Sequence, residues 1–191
     1  MSWRNDQVSE LETEKIISMA RKRLSIEGDF VELGCYKGDT SLMLAEILQG
    51  TNRKLWVYDS FEGLPKKSAE DESAVGVDFR QGELAVSKKE VKARFLRAGL
   101  TVPKIKKAWF SELKSEDLPE KIAFAFLDGD LYESIKDSLK LVEGKMVAGG
   151  VIMVHDYTNE ALPGVARAVD EWAKGEDVRI ERYQSSAIIY L

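Results

Sequence analysis

Three observations predict an α/β protein built on a doubly wound, mostly parallel seven-stranded sheet with a C-terminal antiparallel hairpin. Apolar runs of strand length alternate with amphipathic helical stretches along nearly the whole chain. Four of those runs stop at Gly34, Asp59, Asp128 and His155, small or polar residues placed where such sheets bind ligands. The last two strands follow one another with no helix between, which makes them antiparallel neighbours.

Ile17, Ala20 and Leu24 lie at helical spacing, so residues 1–27 read as an N-terminal helical segment ahead of one layered domain over 28–191. Residues 30–33 form a strand stopped by Gly34. Asp39 or Thr40 can cap a helix through Ile47 and Leu48, with Gly50 as its stop. A second strand covers 55–58. Residues 66–82 are polar and without period, so they read as a loop, the natural mobile lid of a site beside them. Ser87 and Glu90 make a capping box ahead of Val91, Phe95 and Ala98, and Gly99 closes that helix. Strands follow at 104–109 and 122–127. Tyr132, Ile135, Leu139 and Val142 mark one helix face, with Asp130 expected to cap it. Residues 147–154 are almost unbroken apolar sequence, the pattern of a strand buried on both faces. Val165, Val169, Trp172 and Ala173 mark another helix. Residues 178–183 and 187–191 form the hairpin around Gln184-Ser185-Ser186.

The 191 residues carry 33 acidic and 28 basic side chains, a net charge of −5, with 44% hydrophobic and 32% charged residues. That balance is globular, and the mild acidity without a basic block argues against a nucleic-acid binder. A single cysteine excludes a disulfide framework and any CxxC site. The longest apolar stretch, 146–154, is far below the roughly 20 residues of a membrane span. The first six residues lack a basic-then-apolar signal pattern, so a cytoplasmic location is expected.

The first strand runs into Glu32-Leu33-Gly34-Cys35-Tyr36-Lys37-Gly38. Its GxxxG spacing differs from the GxGxxG of pyrophosphate cradles and suggests a ligand without phosphates, with Glu32 available to a cationic group. Asp59, at the end of the second strand, is placed to accept hydrogen bonds from ribose hydroxyls. Cys35 has no neighbouring histidine in sequence and takes no catalytic role. The lysines at 104, 106 and 107 read as a solvated face. Tyr157 and Arg167 read equally well as substrate contacts or as ordinary packing and surface charge.

Three strings carry a resemblance: Tyr58-Asp59-Ser60-Phe61-Glu62-Gly63-Leu64-Pro65, Leu127-Asp128-Gly129-Asp130-Leu131-Tyr132-Glu133-Ser134 and Val154-His155-Asp156-Tyr157. With the glycine loop they resemble class I S-adenosylmethionine-dependent methyltransferases, and in detail the macrocin O-methyltransferase family, which methylates sugar hydroxyls. The resemblance runs from about Gly28 to the C-terminus. It implies that Glu32, Gly34, Tyr36, Gly38, Thr40 and Ser41 serve the methionine end of the cofactor, and that Asp59 and Ser60 serve the ribose. Phe61 and Trp109 would flank the adenine, although an ordinary packed aromatic fits both equally well. Asp128 would lie beside the cofactor. Asp128, His155 and Asp156 would form a divalent metal site for magnesium or manganese.

His155 stands where the family usually has Asp. Magnesium prefers oxygen ligands and imidazole favours borderline metals. Three readings follow: a metal other than magnesium, a His155 that leaves the metal and acts as a base, or a lost metal site. A sugar hydroxyl needs deprotonation, which a dication assists and which Asp128 or His155 would complete. The expected activity is methyl transfer from S-adenosylmethionine to a hydroxyl of a small-molecule or glycan acceptor, a vicinal diol in particular. A non-catalytic S-adenosylmethionine-binding protein and a nicotinamide-dependent dehydrogenase are the alternatives, the latter weakened by the missing GxGxxG. With only about 27 residues before the first strand, the acceptor site is expected to be open or completed by a partner subunit of a homo-oligomer.

Overall fold

The computed structural model describes residues 7–75 and 79–191, so the reading of residues 1–6 lies outside it. Seven strands, β1 (Asp29–Leu33), β2 (Leu55–Asp59), β3 (Lys104–Lys107), β4 (Ile122–Leu127), β5 (Met146–Val154), β6 (Arg179–Tyr183) and β7 (Ser186–Tyr190), form one sheet in the order β3-β2-β1-β4-β5-β7-β6. The first five are parallel, and β7 pairs antiparallel with both β5 and β6. The chain winds outward from β1 and then from β4, which makes the carboxyl ends of these neighbours the switch point where such sheets open a crevice.

Five helices cover the sheet: α1 (Glu10–Lys22), α2 (Asp39–Ile47), α3 (Lys88–Arg97), α4 (Tyr132–Glu143) and α5 (Pro163–Ala173). The side chains of β4 show how one apolar run serves two cores. Ile122, Ala125 and Leu127 pack with Ile135, Leu139, Val165 and Val169 of α4 and α5. Phe124 and Phe126 pack with Ile16, Leu42, Val91 and Phe95 of α1, α2 and α3. No helix among the described residues is long and apolar enough to cross a membrane.

Several local expectations are corrected. Gly38, in the left-handed region at φ 83°, occupies the cap position of α2, while Asp39 opens the helix and pairs with Arg94 at 2.5 Å. The strand expected over 104–109 ends at Lys107, because Ala108–Phe110 turn into the site described below. Only the second half of β5 is buried. Ala148 and Gly149, the latter at φ 78°, are exposed and lie in the stretch where the register against β4 shifts. The lysines of β3 lie on an exposed face, as read from the sequence, with Lys104 over Trp56, Lys106 paired with Asp117 and Lys107 with Glu62.

Among its described residues, the 66–82 loop, read above as a mobile lid, is anchored at its base and at Asp71. Leu64 pairs with Glu83 and Gly82 through backbone hydrogen bonds at its base. Its Asp71 is 2% exposed; Oδ2 accepts from Ser68 N and Oγ, and Oδ1 accepts from Tyr132 N at 2.7 Å. Asp71 therefore caps α4, the role expected of Asp130, whose own side chain makes no capping bond. Distance in sequence hid this: the cap comes from 61 residues upstream.

Candidate active site

A cleft opens at the switch point. Its wall includes Gly34 and Tyr36 after β1, Asp59 and Ser60 after β2, Trp109 and Phe110 after β3, Asp128 and Asp130 after β4, and His155 and Asp156 after β5. Close approach of β1 and β4 makes this possible. A Cβ on Gly34, at φ 91°, would lie 2.0 Å from the backbone oxygen of Asp128. Tyr36, Asp130 and Asp156 also hold positive φ, at 44°, 60° and 59°. For residues with a Cβ this conformation costs on the order of 1–3 kcal/mol each, and its concentration at one cleft marks a functional site.

The sequence-predicted residues divide into three groups. Gly34, Tyr36, Asp59, Ser60, Trp109, Asp128, His155 and Asp156 line the cleft. Glu32, Gly38, Thr40 and Ser41 do not; the Glu32 carboxyl is buried beneath the glycine loop and accepts from the Ser41 hydroxyl. Burial pushes its pKa well above the usual carboxylate range, and the neighbouring Asp128, Asp59 and Asp39 add to the shift against the Ser41 bond. Phe61 is 9% exposed and packs among the core residues that include Val91 and Phe95, so it is a packed aromatic and not part of the wall. Cys35 is buried with its thiol pKa raised by burial, which agrees with the absence of a catalytic role. Tyr157 and Arg167 are engaged away from the cleft, with Asp170 and with Glu171 and Glu70.

Asp59 organises the glycine loop. Its Oδ2 accepts from the backbone N–H of Cys35 and Tyr36 at 2.9 and 3.1 Å, and its Oδ1 from Phe61 N at 2.7 Å. A carboxylate offers about four acceptor positions, so one remains for a ligand.

The reacting end is built around His155, the one histidine of the chain, which is 5% exposed. Its Nδ1 lies 3.0 Å from Asp128 Oδ1 and 3.1 Å from Asp156 Oδ2, while Nε2 faces Glu12 Oε2 at 3.9 Å. Asn159 Nδ2 donates to Asp156 Oδ1 at 2.9 Å and fixes that carboxylate. Burial opposes a charged imidazole, but Asp128 and then Asp156 outweigh it and push the His155 pKa up to about 11.

Metal donors of Asp128, His155 and Asp156 lie within 4.8 Å of one another. Neighbouring donors around an octahedral ion at about 2.1 Å stand about 3.0 Å apart, close to the two observed separations. The set fits a divalent ion, and its nitrogen favours a borderline metal over magnesium. Glu12, Gln7, Phe110, Asp130 and Asn159 were not among the sequence-predicted site residues. For Glu12 a signal existed in the capping box Ser9-x-x-Glu12, which places it on a helix start without revealing its burial.

Without metal, the raised pKa gives a pH dependence with a definite sign. The ring's ordinary pKa is 6.5 and its folded value about 11, so the stability from its protonation is fully present below about pH 6.5 and is lost as pH rises toward 11. In chelator-treated protein, the difference in unfolding free energy between wild type and His155→Gln is expected to shrink steadily across that window.

A family model described as Macrocin-O-methyltransferase (TylF) matches residues 10–183. The chain belongs to the macrocin O-methyltransferase family. Among curated members, it is 35% identical over 145 residues to 8-demethyl-8-(2,3-dimethoxy-alpha-L-rhamnosyl)-tetracenomycin-C 4'-O-methyltransferase of Streptomyces olivaceus, covering 71% of this chain and 55% of that protein. It is 30% identical over 165 residues to demethyldecarbamoylnovobiocin O-methyltransferase of Streptomyces niveus, covering 82% and 62%. The chain thus matches little more than half the length of these relatives. Among solved structures, the O-methyltransferase NovP superposes with a TM-score of 0.83 at 27% identity, covering 97% of this chain and 82% of that one. Macrocin O-methyltransferase membership extends over α1, so the family's match includes the helix that carries Glu12.

Proposed function

We propose that this protein methylates a hydroxyl of a sugar or glycoside, using S-adenosylmethionine and a divalent metal held by Asp128, His155 and Asp156. The observation that carries the reading is the cleft's charge. Its wall holds the carboxylates of Asp59, Asp128 and Asp156, an Asp130 that burial pushes toward its neutral form, a His155 held positive between Asp128 and Asp156, and no lysine or arginine among the described residues, so the balance is negative. Such a wall suits a sulfonium cation and a dication, and opposes the pyrophosphate of a nicotinamide dinucleotide. The named substrates of the relatives, a rhamnosyl tetracenomycin and a novobiocin precursor, support a glycosylated acceptor.

When bound, S-adenosylmethionine supplies a methyl group on a positively charged sulfur, and a dication acidifies and orients hydroxyls that coordinate it. The chain's residues supply position and proton removal. Gly34 lets β1 close onto the backbone of Asp128 and so sets the floor of the cleft, the remaining acceptor position of Asp59 takes a ribose hydroxyl, and Trp109 and Phe110 offer apolar surface beside it. Both ring nitrogens of His155 already face carboxylates, so we assign proton removal to Asp128 rather than to His155. As the acceptor oxygen bonds to the methyl carbon, the carbon–sulfur bond breaks with its electrons to sulfur, S-adenosylhomocysteine leaves, and Asp128 holds the proton.

Mass-spectrometric detection of methylated product, over a panel of neutral glycosides, sugar phosphates and catechols with each metal, tests the function. A gain of one methyl on neutral glycosides is expected. Exclusive methylation of phosphate-bearing sugars, or none with any acceptor, contradicts it. Metal choice gives a second expectation: manganese, cobalt or zinc binds wild type more tightly than magnesium, and His155→Asp narrows that preference in calorimetric titrations.

A further inference from the structure

The N-terminal helix delivers a buried carboxylate to the reacting end. Glu12 is 4% exposed, and its Oε1 accepts from Ser185 N at 3.1 Å, from Ser185 Oγ and from Ser186 Oγ at 3.1 Å. Its Oε2 accepts from Ser9 Oγ at 2.8 Å and Ser9 N at 3.4 Å, and faces His155 Nε2 at 3.9 Å. The capping box accounts for the Ser9 bonds, and the tether from α1 to the β6–β7 turn accounts for the Ser185 and Ser186 bonds. Neither accounts for a carboxylate pointed at the imidazole, since burying a charge is costly unless something nearby uses it. A histidine that ligates through one nitrogen typically donates its other N–H to a carboxylate, which fixes ring orientation and raises ligand basicity.

We infer that Glu12 is a positioning residue for His155: its carboxylate holds Nε2 as the N–H, so that Nδ1 is presented to the Asp128–Asp156 pair. A movement of under 1 Å would bring the 3.9 Å separation into hydrogen-bond range. The inference rests on the proposed metal reading for its consequence, but the pairing of the carboxylate with the ring is present without metal. It also makes α1 part of the site's machinery, which Gln7 on the cleft wall supports.

Because His155 is the only histidine, its ring nitrogens can be read without ambiguity in 15N-labelled protein by nitrogen–proton correlation spectroscopy. In wild type, chelator-treated or zinc-loaded, Nε2 is expected to carry a slowly exchanging proton, and zinc to perturb Nδ1. Glu12→Gln preserves shape but offers an amide N–H to Nε2. It is expected to speed exchange of the Nε2 proton and shift the Nε2 signal, and to weaken zinc binding roughly 10–100-fold. In the His155→Asp background the same substitution should leave metal affinity nearly unchanged. Ser185→Ala, which loosens the tether and keeps the charge, should lower stability while leaving the ring signals in place. Unchanged Nε2 signals in Glu12→Gln, or equal weakening of metal binding in both backgrounds, overturns the inference. If Glu12→Gln does not fold, Glu12→Asp withdraws the carboxylate by one methylene, and a ring signal identical to wild type overturns the inference as well. Absence of metal binding in wild type refutes the metal reading alone, and the chelator-treated ring signals still decide the role of Glu12.

Discussion

Asp128→Asn is expected to lower kcat for methyl transfer by roughly 10²–10⁴-fold, the range for losing a positioned proton acceptor, while the protein stays folded. Asp128 is the point where the site's functions meet. It lies at the end of β4 on the cleft wall, bonds His155 Nδ1 at 3.0 Å, and belongs to the candidate metal set. The substitution keeps the side chain's size but removes the charge, so cofactor affinity should change far less than turnover. It should also lower the His155 pKa, because Asp128 is the first of the partners that raise it. Steady-state kinetics paired with a histidine titration by NMR checks both. An unchanged kcat would remove Asp128 from the chemistry.

Gly34→Ala is expected to be among the most damaging glycine-to-alanine changes at the described residues, costing on the order of 3–5 kcal/mol of stability or preventing folding. The new Cβ would meet Asp128 backbone oxygen at 2.0 Å and its carbonyl carbon at 2.7 Å, and backbone atoms held in the sheet cannot swing aside. Gly34 is also at φ 91°, where a Cβ adds strain of its own. The same substitution at Gly50, also at positive φ but with nothing within 4 Å of the added atom, isolates the strain from the collision. Denaturant unfolding of the two variants should show Gly34→Ala much the weaker. Similar midpoints would mean that β1 and β4 part easily, and the cleft would not be the rigid feature described.

Much of this fold is legible in the sequence because its signals are local. Strand β4, Ile122–Leu127, matches its apolar run residue for residue, and the Ser87–Glu90 capping box starts α3 as read. Residues that end strands, Gly34, Asp59, Asp128 and His155, converge because parallel topology forces all those ends to one side. What escaped depends on contacts distant in sequence. Asp71 caps α4 from within a loop without periodicity, and Gly164 leaves it space, since a Cβ there would lie 2.0 Å from Asp71 Oδ1. Glu12 looks like an ordinary helix-start glutamate until the β6–β7 turn and His155 close over it. Phe61 follows Asp59 closely in sequence, yet its positive φ accompanies a turn of the side chain into the core. The register shift between Met146 and Val151 leaves Ala148 and Gly149 exposed in a strand that reads as almost wholly apolar.

Calorimetric titration of chelator-treated protein with S-adenosylmethionine, alongside Asp59→Ala, tests the central claim most directly. Saturable one-to-one binding to wild type that is weakened at least tenfold in the variant, about 1.4 kcal/mol or more, is the predicted result. No heat of binding to wild type, with the fold intact by circular dichroism, would contradict the account.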